Sequence, residues 1–277
     1  MPNSNFSPSL EQSPQKAERY FWEQLQKEGA EIDIRYARDL PDDTPDFIID
    51  LLAEFEERVA EFCFAGASGR VLDAGCGNGN LIMRALKFLP SEMEYVGTDF
   101  SRKMLSRAEF RAEGIPRAHF SQGCINKLPF KDQSFDRVVS SGVITCLSTI
   151  EEAKESLAEF NRVLRPGGSL VVDFFNQLSH FSLVRKVLLR ESIRPPEYIS
   201  PGHFRSLLED AGFDVQDCRG FDYKPYQGYL FMSKWSSFLD PGFMQERFSR
   251  LIEAKVAPHL PHINLFGYRI YVKCVKS

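Results

Sequence analysis

The stretch VLDAGCGNGN at residues 71–80 places three glycines, Gly75, Gly77 and Gly79, directly behind a short apolar run that contains the acid Asp73. Glycine loses more conformational freedom on folding than any other residue, so this cluster indicates a backbone with positive φ or one that a second molecule approaches closely. A tight turn from strand to helix needs fewer glycines than this. The stretch therefore predicts a ligand that lies against the turn.

The segments that follow alternate between short apolar strands and amphipathic helices. Strands are expected at RVLDAG, EYVGTDF, AHFSQG, FDRVVSSG and SLVVDFF, and helices lie between them, with RPGG at residues 165–168 read as a turn. This alternation predicts a parallel sheet with helices on both faces and right-handed crossovers. Ligands of such sheets bind at the carboxyl ends of the strands, which is where the glycine turn lies.

Upstream of the sheet, a helix is expected to begin near Thr44 and to carry an apolar stripe that includes Phe55, Val59 and Phe62. Its acids Glu54, Glu56 and Glu57 are assigned to a solvated face.

The chain divides into three parts by composition. Residues 1–14 are rich in Ser, Pro and Asn and predict a disordered tail, and residues 15–66 predict a helical cap and the first domain helix. Residues 67–277 form the main domain, with insertions at 176–200 and 220–266 that are longer than the fold requires and are expected to act as covers. The aromatic residues of the second insertion either pack on the domain or form the wall of an acceptor pocket or a partner surface.

Composition excludes several classes of protein. The 277 residues carry a net charge of −4, so there is no overall positive field to collect nucleic-acid phosphates. The six cysteines are scattered without C-x-x-C pairs, and no signal peptide or membrane-spanning run is visible, which predicts reduced thiols in the cytoplasm. His259 and His262 lack further ligands at zinc spacing, so no metal site is predicted.

Asp99 ends the second strand, where its carboxylate can accept both hydroxyl hydrogens of a ribose. The glycine turn lacks the lysine of a phosphate-binding loop, and Asn80 stands where a dinucleotide fingerprint needs glycine or alanine. Asp73 suits a ligand that bears a positive charge. These residues favour an adenosine-type cation over a nucleotide.

Four ordered segments, VLDAGCGNG, YVGTDFS, LPFKDQSFDRVVSS and VLRPGGSLVV, resemble the class I S-adenosylmethionine-dependent methyltransferases, and most closely the branch that includes small-molecule enzymes of quinone and secondary metabolism. The resemblance covers about residues 68–218 and the last strand. It implies a Rossmann-like α/β fold with a seven-stranded, mostly parallel sheet, helices on both faces, an antiparallel last strand and cap insertions.

The resemblance also implies roles for particular residues. Asp73, Gly75, Cys76 and Gly77 would surround the methionine part of the cofactor. Asp99 would hold the ribose. The remaining cofactor-binding positions would be Phe100, Met104, Cys124 and Ile125 around the adenine, and Ser140, Ser141 and Gly142 near the sulfonium. Family members often have an aspartate where Cys124 stands, so that adenine contact is weakened here because a thiol is a weak acceptor.

A general base is needed only if the acceptor must lose a proton, and the candidates are Asp173, Tyr20, Tyr36 and His203. The favoured function is methyl transfer to a small-molecule acceptor at oxygen, nitrogen or carbon by a monomer or homodimer. The alternatives are a methyltransferase acting on RNA or protein, a non-catalytic cofactor-binding regulator, and a nicotinamide-dependent oxidoreductase, which Asn80 disfavours.

Overall fold

The computed structural model describes residues 46–86, 88–187, 197–223, 238 and 244–277. The expected tail, the cap with Tyr20 and Tyr36, the helix start at Thr44, and most of the aromatic insertion lie outside these residues. None of the described helices combines the length and hydropathy that crossing a membrane requires.

Strands and helices alternate along the chain in the predicted way. The helices are α1 Asp46–Phe64, α2 Asn80–Ala85, α3 Arg102–Arg111, α4 Ile150–Val163, α5 His180–Val187, α6 Pro201–Asp210 and α7 Met244–Leu251. The strands are β1 Arg70–Ala74, β2 Glu94–Asp99, β3 Ala118–Gln122, β4 Phe135–Ser140, β5 Leu164–Asn176, β6 Tyr198–Ile199, β7 Phe213–Phe221 and β8 Arg269–Lys276.

The strands form one sheet in the order β3-β2-β1-β4-β5-β8-β7. Strand β8 is antiparallel to both of its neighbours, whereas the other pairs of the sheet are parallel. The predicted fold class is therefore confirmed, including the antiparallel last strand. The two-residue strand β6 adds a short parallel pairing to the end of β5 that the sequence did not indicate.

The RPGG segment is predicted as a turn before β5, but in the structure it lies within β5. Strand β5 already pairs with β4 at Leu164, and the register between the strands shifts before Ser169 meets Arg137. Gly167 takes a φ of +72°, which accommodates the irregularity. The segment is thus an interruption of the ladder between β4 and β5, because both of its ends remain paired.

The sheet separates two hydrophobic cores, so β5 carries apolar residues on both of its faces. Leu170 and Val172 of β5 face the layer of α4 and α6, where Phe160 and Phe204 are buried. Val171 faces the layer of α1 and α2. The amphipathic stripe of α1 is buried in this second layer, so α1 packs on the same face of the sheet as α2.

Candidate active site

The glycine turn after β1 is held by backbone hydrogen bonds to the neighbouring strand. The amides of Gly75 and Cys76 both donate to the carbonyl of Thr98, at 2.7 and 2.9 Å. Gly75, Gly77 and Gly79 all have positive φ, at +83°, +54° and +74°. A Cβ on Gly75 would lie 2.4 Å from a methyl carbon of Val143, whereas a Cβ on Gly77 would meet no atom within 4 Å. The turn is therefore packed on one side and open on the other.

Asp99 ties the end of β2 to this turn. One of its carboxylate oxygens accepts the amide hydrogen of Gly77 at 2.9 Å, and the other accepts that of Ser101 at 2.9 Å. Burial raises the pKa of Asp99, and the backbone hydrogen bonds oppose this rise. A carboxylate has about four lone-pair sites, so Asp99 can still accept a hydrogen bond from a hydroxyl group of a ligand.

Asp73 is almost fully buried at the end of β1. Burial raises its pKa to about 7, although the hydrogen bond from Tyr95 lowers it and the nearby Asp99 raises it again. The Tyr95 hydroxyl donates to the Asp73 carboxylate at 2.8 Å. A cation placed beside Asp73 would replace the solvation that the carboxylate has lost, so this position favours a positively charged ligand.

These groups open into one cavity of about 550 Å³ at the carboxyl edge of the sheet. Its described lining comes from the glycine turn, the ends of β2 and β4, the segment after β3, helix α1 and the start of β8. The lining residues are Phe55, Glu56, Val59, Asp73, Gly75, Cys76, Gly77, Asn78, Asn80, Leu81, Asp99, Phe100, Met104, Gly123, Cys124, Ile125, Asn126, Ser141, Gly142, Val143, Cys146, Leu147, Glu152, Arg269 and Tyr271.

Almost all of the expected cofactor-binding residues meet at this cavity. Ser140 is the exception, because its hydroxyl donates to the Ala74 carbonyl at 3.0 Å and its side chain is buried between β4 and β1. Ser140 joins the two strands and does not line the cavity. The sequence interpretation assigned Ser140 to the cavity only because it lies at the end of β4. Successive residues of a strand point to opposite faces, so position along the strand does not show which serine faces the cavity.

Asp173 is absent from the described lining of the cavity, which argues against its interpretation as a base. It is fully buried, and the guanidinium of Arg269 donates from Nε to Asp173 Oδ2 at 2.5 Å. Its other oxygen accepts the Gly142 amide hydrogen at 2.6 Å. Burial alone would lower the pKa of Arg269, but the charge of Asp173 outweighs it and raises that pKa. Asp173 therefore fixes Arg269 and the Gly142 loop.

His203 is also misplaced for the expected role of a base. It lies exposed in the first turn of α6, where its amide donates to the capping hydroxyl of Ser200 at 3.4 Å. It is absent from the described lining of the cavity. Tyr20 and Tyr36 lie outside the described residues, so their proposed roles remain predictions.

Glu56 of α1 is buried against the cavity, so its assignment to a solvated face is wrong. Its carboxylate accepts a hydrogen bond from the Asn80 side chain at 2.5 Å and lies 3.5 Å from Arg84 Nε. Arg111 donates in turn to the Asn80 side chain at 3.3 Å. One signal was available: Glu56, Val59 and Cys63 have the spacing of one buried helix face.

Arg269 and Tyr271 were missed as well, because no local motif marks the start of β8. They enter the cavity since β8 inserts between β5 and β7, which pairs Arg269 with Phe175 and Tyr271 with Asp173. The Tyr271 hydroxyl hydrogen-bonds to that of Ser141 at 2.8 Å. The pairing of β5 with β8 joins residues nearly a hundred positions apart, and the register of the sheet decides which residues meet.

Comparisons with known proteins concern the family and the fold of the chain. The family profile described as "Methyltransferase domain" matches residues 66–212, which is more than half of the chain. A protein of Dinoroseobacter shibae named ubiquinone/menaquinone biosynthesis C-methyltransferase UbiE is 35% identical over 174 residues, which cover 53% of this chain and 67% of that protein. The mouse protein named "Probable tRNA methyltransferase 9B" is 30% identical over 150 residues, or 53% of this chain and 31% of the mouse protein.

The chain thus spans only about a third of the length of the mouse relative. Among solved structures, geranyl diphosphate methyltransferase in complex with S-adenosylmethionine superposes with a TM-score of 0.56 over 90% of this chain and 93% of that chain, at 18% identity. At this identity the likeness concerns the fold. The profile match and the relatives show that this chain belongs to the methyltransferase domain family, and the solved structure shows the same fold.

Proposed function

We propose that this chain transfers the methyl group of S-adenosylmethionine to a small-molecule acceptor that shares the cavity with the cofactor. The observation that supports the acceptor class is the apolar wall beside the end of β4, to which Phe55, Val59, Val143 and Leu147 contribute. A cavity of about 550 Å³ has the size of a small-molecule site, since such sites occupy roughly 300–1,000 Å³.

The residues of the cavity fit the cofactor. Gly77 leaves the inner side of the turn free of side-chain atoms, Asp99 offers carboxylate oxygens to a ribose, and Asp73 favours positive charge. Phe100, Met104 and Ile125 supply flexible and flat apolar surface for a purine. When bound, S-adenosylmethionine supplies a methyl group on a sulfonium leaving group.

The contribution of the protein to catalysis is then placement and exclusion of water. Holding the acceptor in line with the transferred methyl group can supply roughly 7–11 kcal/mol of the barrier. The described lining contains no histidine, and Asp173 is already engaged by Arg269 and Gly142. Neither feature therefore supplies a general base, whereas the carboxyl groups of Asp73 and Glu152 do lie in the lining.

The charge of the cavity lining favours a small-molecule acceptor over RNA. A site for RNA would set Lys and Arg side chains along the rim to meet phosphates. Among the described residues of the lining, Arg269 is the cation, and it is paired with Asp173, whereas Glu56, Asp73, Asp99 and Glu152 are acids. Phosphate groups would be repelled by this lining.

The test uses purified protein with S-adenosylmethionine labelled in its methyl group, incubated separately with a metabolite extract, total RNA and a protein extract. We expect label in the small molecules. Label in RNA or protein would contradict the proposed acceptor class while leaving methyltransferase activity intact. Binding of the cofactor without transfer into any fraction would identify a regulator instead. The Asp99→Ala variant is the control for cofactor-dependent signal.

A further inference from the structure

The charges around the cavity are unevenly divided. Glu56, Asp73, Asp99 and Glu152 contribute carboxyl groups, and Arg269 is the cationic side chain among the described lining residues. S-adenosylmethionine carries two positive groups, the sulfonium and the ammonium, and one negative group, the carboxylate. The acids suit the positive groups and repel the carboxylate, so the carboxylate requires a cation of its own.

Arg269 is held in a fixed orientation with part of its guanidinium available. Nε donates to Asp173 at 2.5 Å and Nη2 donates to the Ser141 hydroxyl at 3.3 Å. The side chain is only 14% exposed, and the guanidinium carbon lies 5.0 Å from the ring centroid of Tyr271. Within the part of the chain that the structure describes, the Nη1 group has no hydrogen-bond acceptor. It can therefore donate to a ligand in the cavity.

Gly142 leaves room for the Arg269 guanidinium at the wall of the cavity because it has no side chain. Its φ is +73°, and a Cβ at this position would lie 2.9 Å from Nη2 of Arg269. Gly142 also lines the cavity, so the absence of a side chain lets the backbone and the guanidinium pack together at the wall. The hydroxyl groups of Ser141 and Tyr271, 2.8 Å apart, stand beside this point as additional polar groups.

The position of Arg269 also suits the shape of the cofactor. Asp99 ends β2, and Ser141 directly follows β4, two strands away in the order β2-β1-β4. Neighbouring strands lie about 4.8 Å apart, which sets these two ends roughly 10 Å from each other along the sheet edge. An adenosine held at Asp99 would thus extend its methionine chain along the glycine turn toward Ser141 and Arg269.

We propose that Arg269 binds the carboxylate of the methionine part of S-adenosylmethionine, and that Asp173 is a positioning residue that orients the guanidinium. A guanidinium donates in a fixed planar geometry that matches a carboxylate. The proposal rests on the cofactor and is independent of the acceptor class, so an RNA acceptor would leave it intact.

The test measures the calorimetric Kd of three ligands with the full chain: S-adenosylhomocysteine, its neutral carboxamide, and 5′-methylthioadenosine, which lacks the amino-acid part. For the wild type, replacing the carboxylate by the carboxamide should weaken binding about tenfold or more, because hydrogen bonds between charged groups are the strong ones. In Arg269→Gln this difference should shrink to less than about threefold, as the charge partner is lost. The Kd of 5′-methylthioadenosine should stay the same in both proteins.

Lys273→Gln is the matched control, since Lys273 lies four residues after Arg269 on the same strand, over the ring of Phe62 and outside the cavity lining. It should keep the full preference for the carboxylate.

Arg269→Gln leaves Asp173 buried without its partner, so the double variant Asp173→Asn/Arg269→Gln, which removes both charges, is measured in parallel. Unchanged 5′-methylthioadenosine binding identifies the variants that fold. A wild-type preference for the carboxylate that persists in the folded Gln variants would overturn the proposal, as would a wild type that does not distinguish the two ligands.

Discussion

The side chain of Asp73 is a carboxyl group whose protonated form is favoured by burial. Its pKa is about 7, against an ordinary value of 3.8, chiefly because burial disfavours the charged form. The folded protein therefore binds one more proton than the unfolded chain between about pH 4 and pH 7. It follows that Asp73 makes the ligand-free protein less stable as the pH rises through this window, and a bound cation offsets that loss.

Cofactor binding should accordingly strengthen as the pH rises through 7. If the cation binds the ionised form of Asp73, the Kd of S-adenosylhomocysteine should fall about tenfold between pH 6 and pH 8. The Tyr95→Phe variant removes the hydrogen bond that lowers the pKa of Asp73, so its midpoint should move to higher pH. Calorimetry across this range measures both midpoints.

The titration of the ligand itself is common to both proteins, so the difference between them reports Asp73. A midpoint that is identical in wild type and Tyr95→Phe, or that moves to lower pH, would show that Asp73 does not govern the dependence.

Gly75 and Gly77 form a matched pair that separates steric from conformational demands. Gly77→Ala should lose about 1–2 kcal/mol of stability, because the left-handed conformation is unfavourable for alanine and nothing lies near the added methyl group. Gly75→Ala should lose more, since its Cβ would also overlap Val143. Urea denaturation measures both. Equal losses would mean that Val143 moves aside freely.

At the scale of elements, helix α1 is joined to the glycine turn through a polar network. Glu56 connects α1 to Asn80 and Arg84 of α2, and Arg111 connects α3 to the same asparagine. The helix is therefore a wall of the cavity whose position depends on a carboxylate and not only on apolar packing. The network also explains why an acid is tolerated in a buried stripe.

Glu56→Ala should loosen α1 against the glycine turn. The loss should be about 1–3 kcal/mol of stability, because the Asn80 amide is left without its acceptor and Arg84 loses the charge that it pairs with. Hydrogen exchange of amides in residues 46–64 should accelerate, and cofactor affinity should fall. Glu61→Ala, an exposed site on the same helix, should change stability by less than about 0.5 kcal/mol. Matching behaviour of the two variants would show that the network does not hold α1.

At the scale of the whole molecule, the cofactor should stabilise the fold because its site joins several elements of the sheet edge. S-adenosylhomocysteine at a hundred times its Kd should add about 2.7 kcal/mol of stability and raise the Tm by roughly 5 °C. NAD should give no shift, because its phosphates would face Asp73 and Asp99 across a turn in which Asn80 replaces the required small residue. Scanning calorimetry decides this, and a shift with NAD alone would refute the expected ligand.

The sequence determined the sheet, the glycine turn and the carboxylates at the strand ends. These are local features: apolar runs of strand length, helical periodicity and glycine clusters act over a few residues and leave a direct trace in the chain. Asp73 and Asp99 could be predicted because Asp73 is the penultimate residue of β1 and Asp99 ends β2, and parallel strands bring such ends together. Ser140, one residue before Ser141, could not be distinguished from it, since strand ends and side-chain direction are fixed only by pairing.

The tertiary structure alone decided which charged groups meet at the cavity. Arg269 and Asp173 are 96 positions apart and become partners only because β8 inserts antiparallel beside β5 in one particular register. Glu56 is a buried wall residue because the fold brings α1 beside the start of α2, where Asn80 donates a hydrogen bond to its carboxylate and Arg84 pairs with its charge. The burial cost of a charge depends on the partner that the fold supplies, and a sequence records the charge but not the partner.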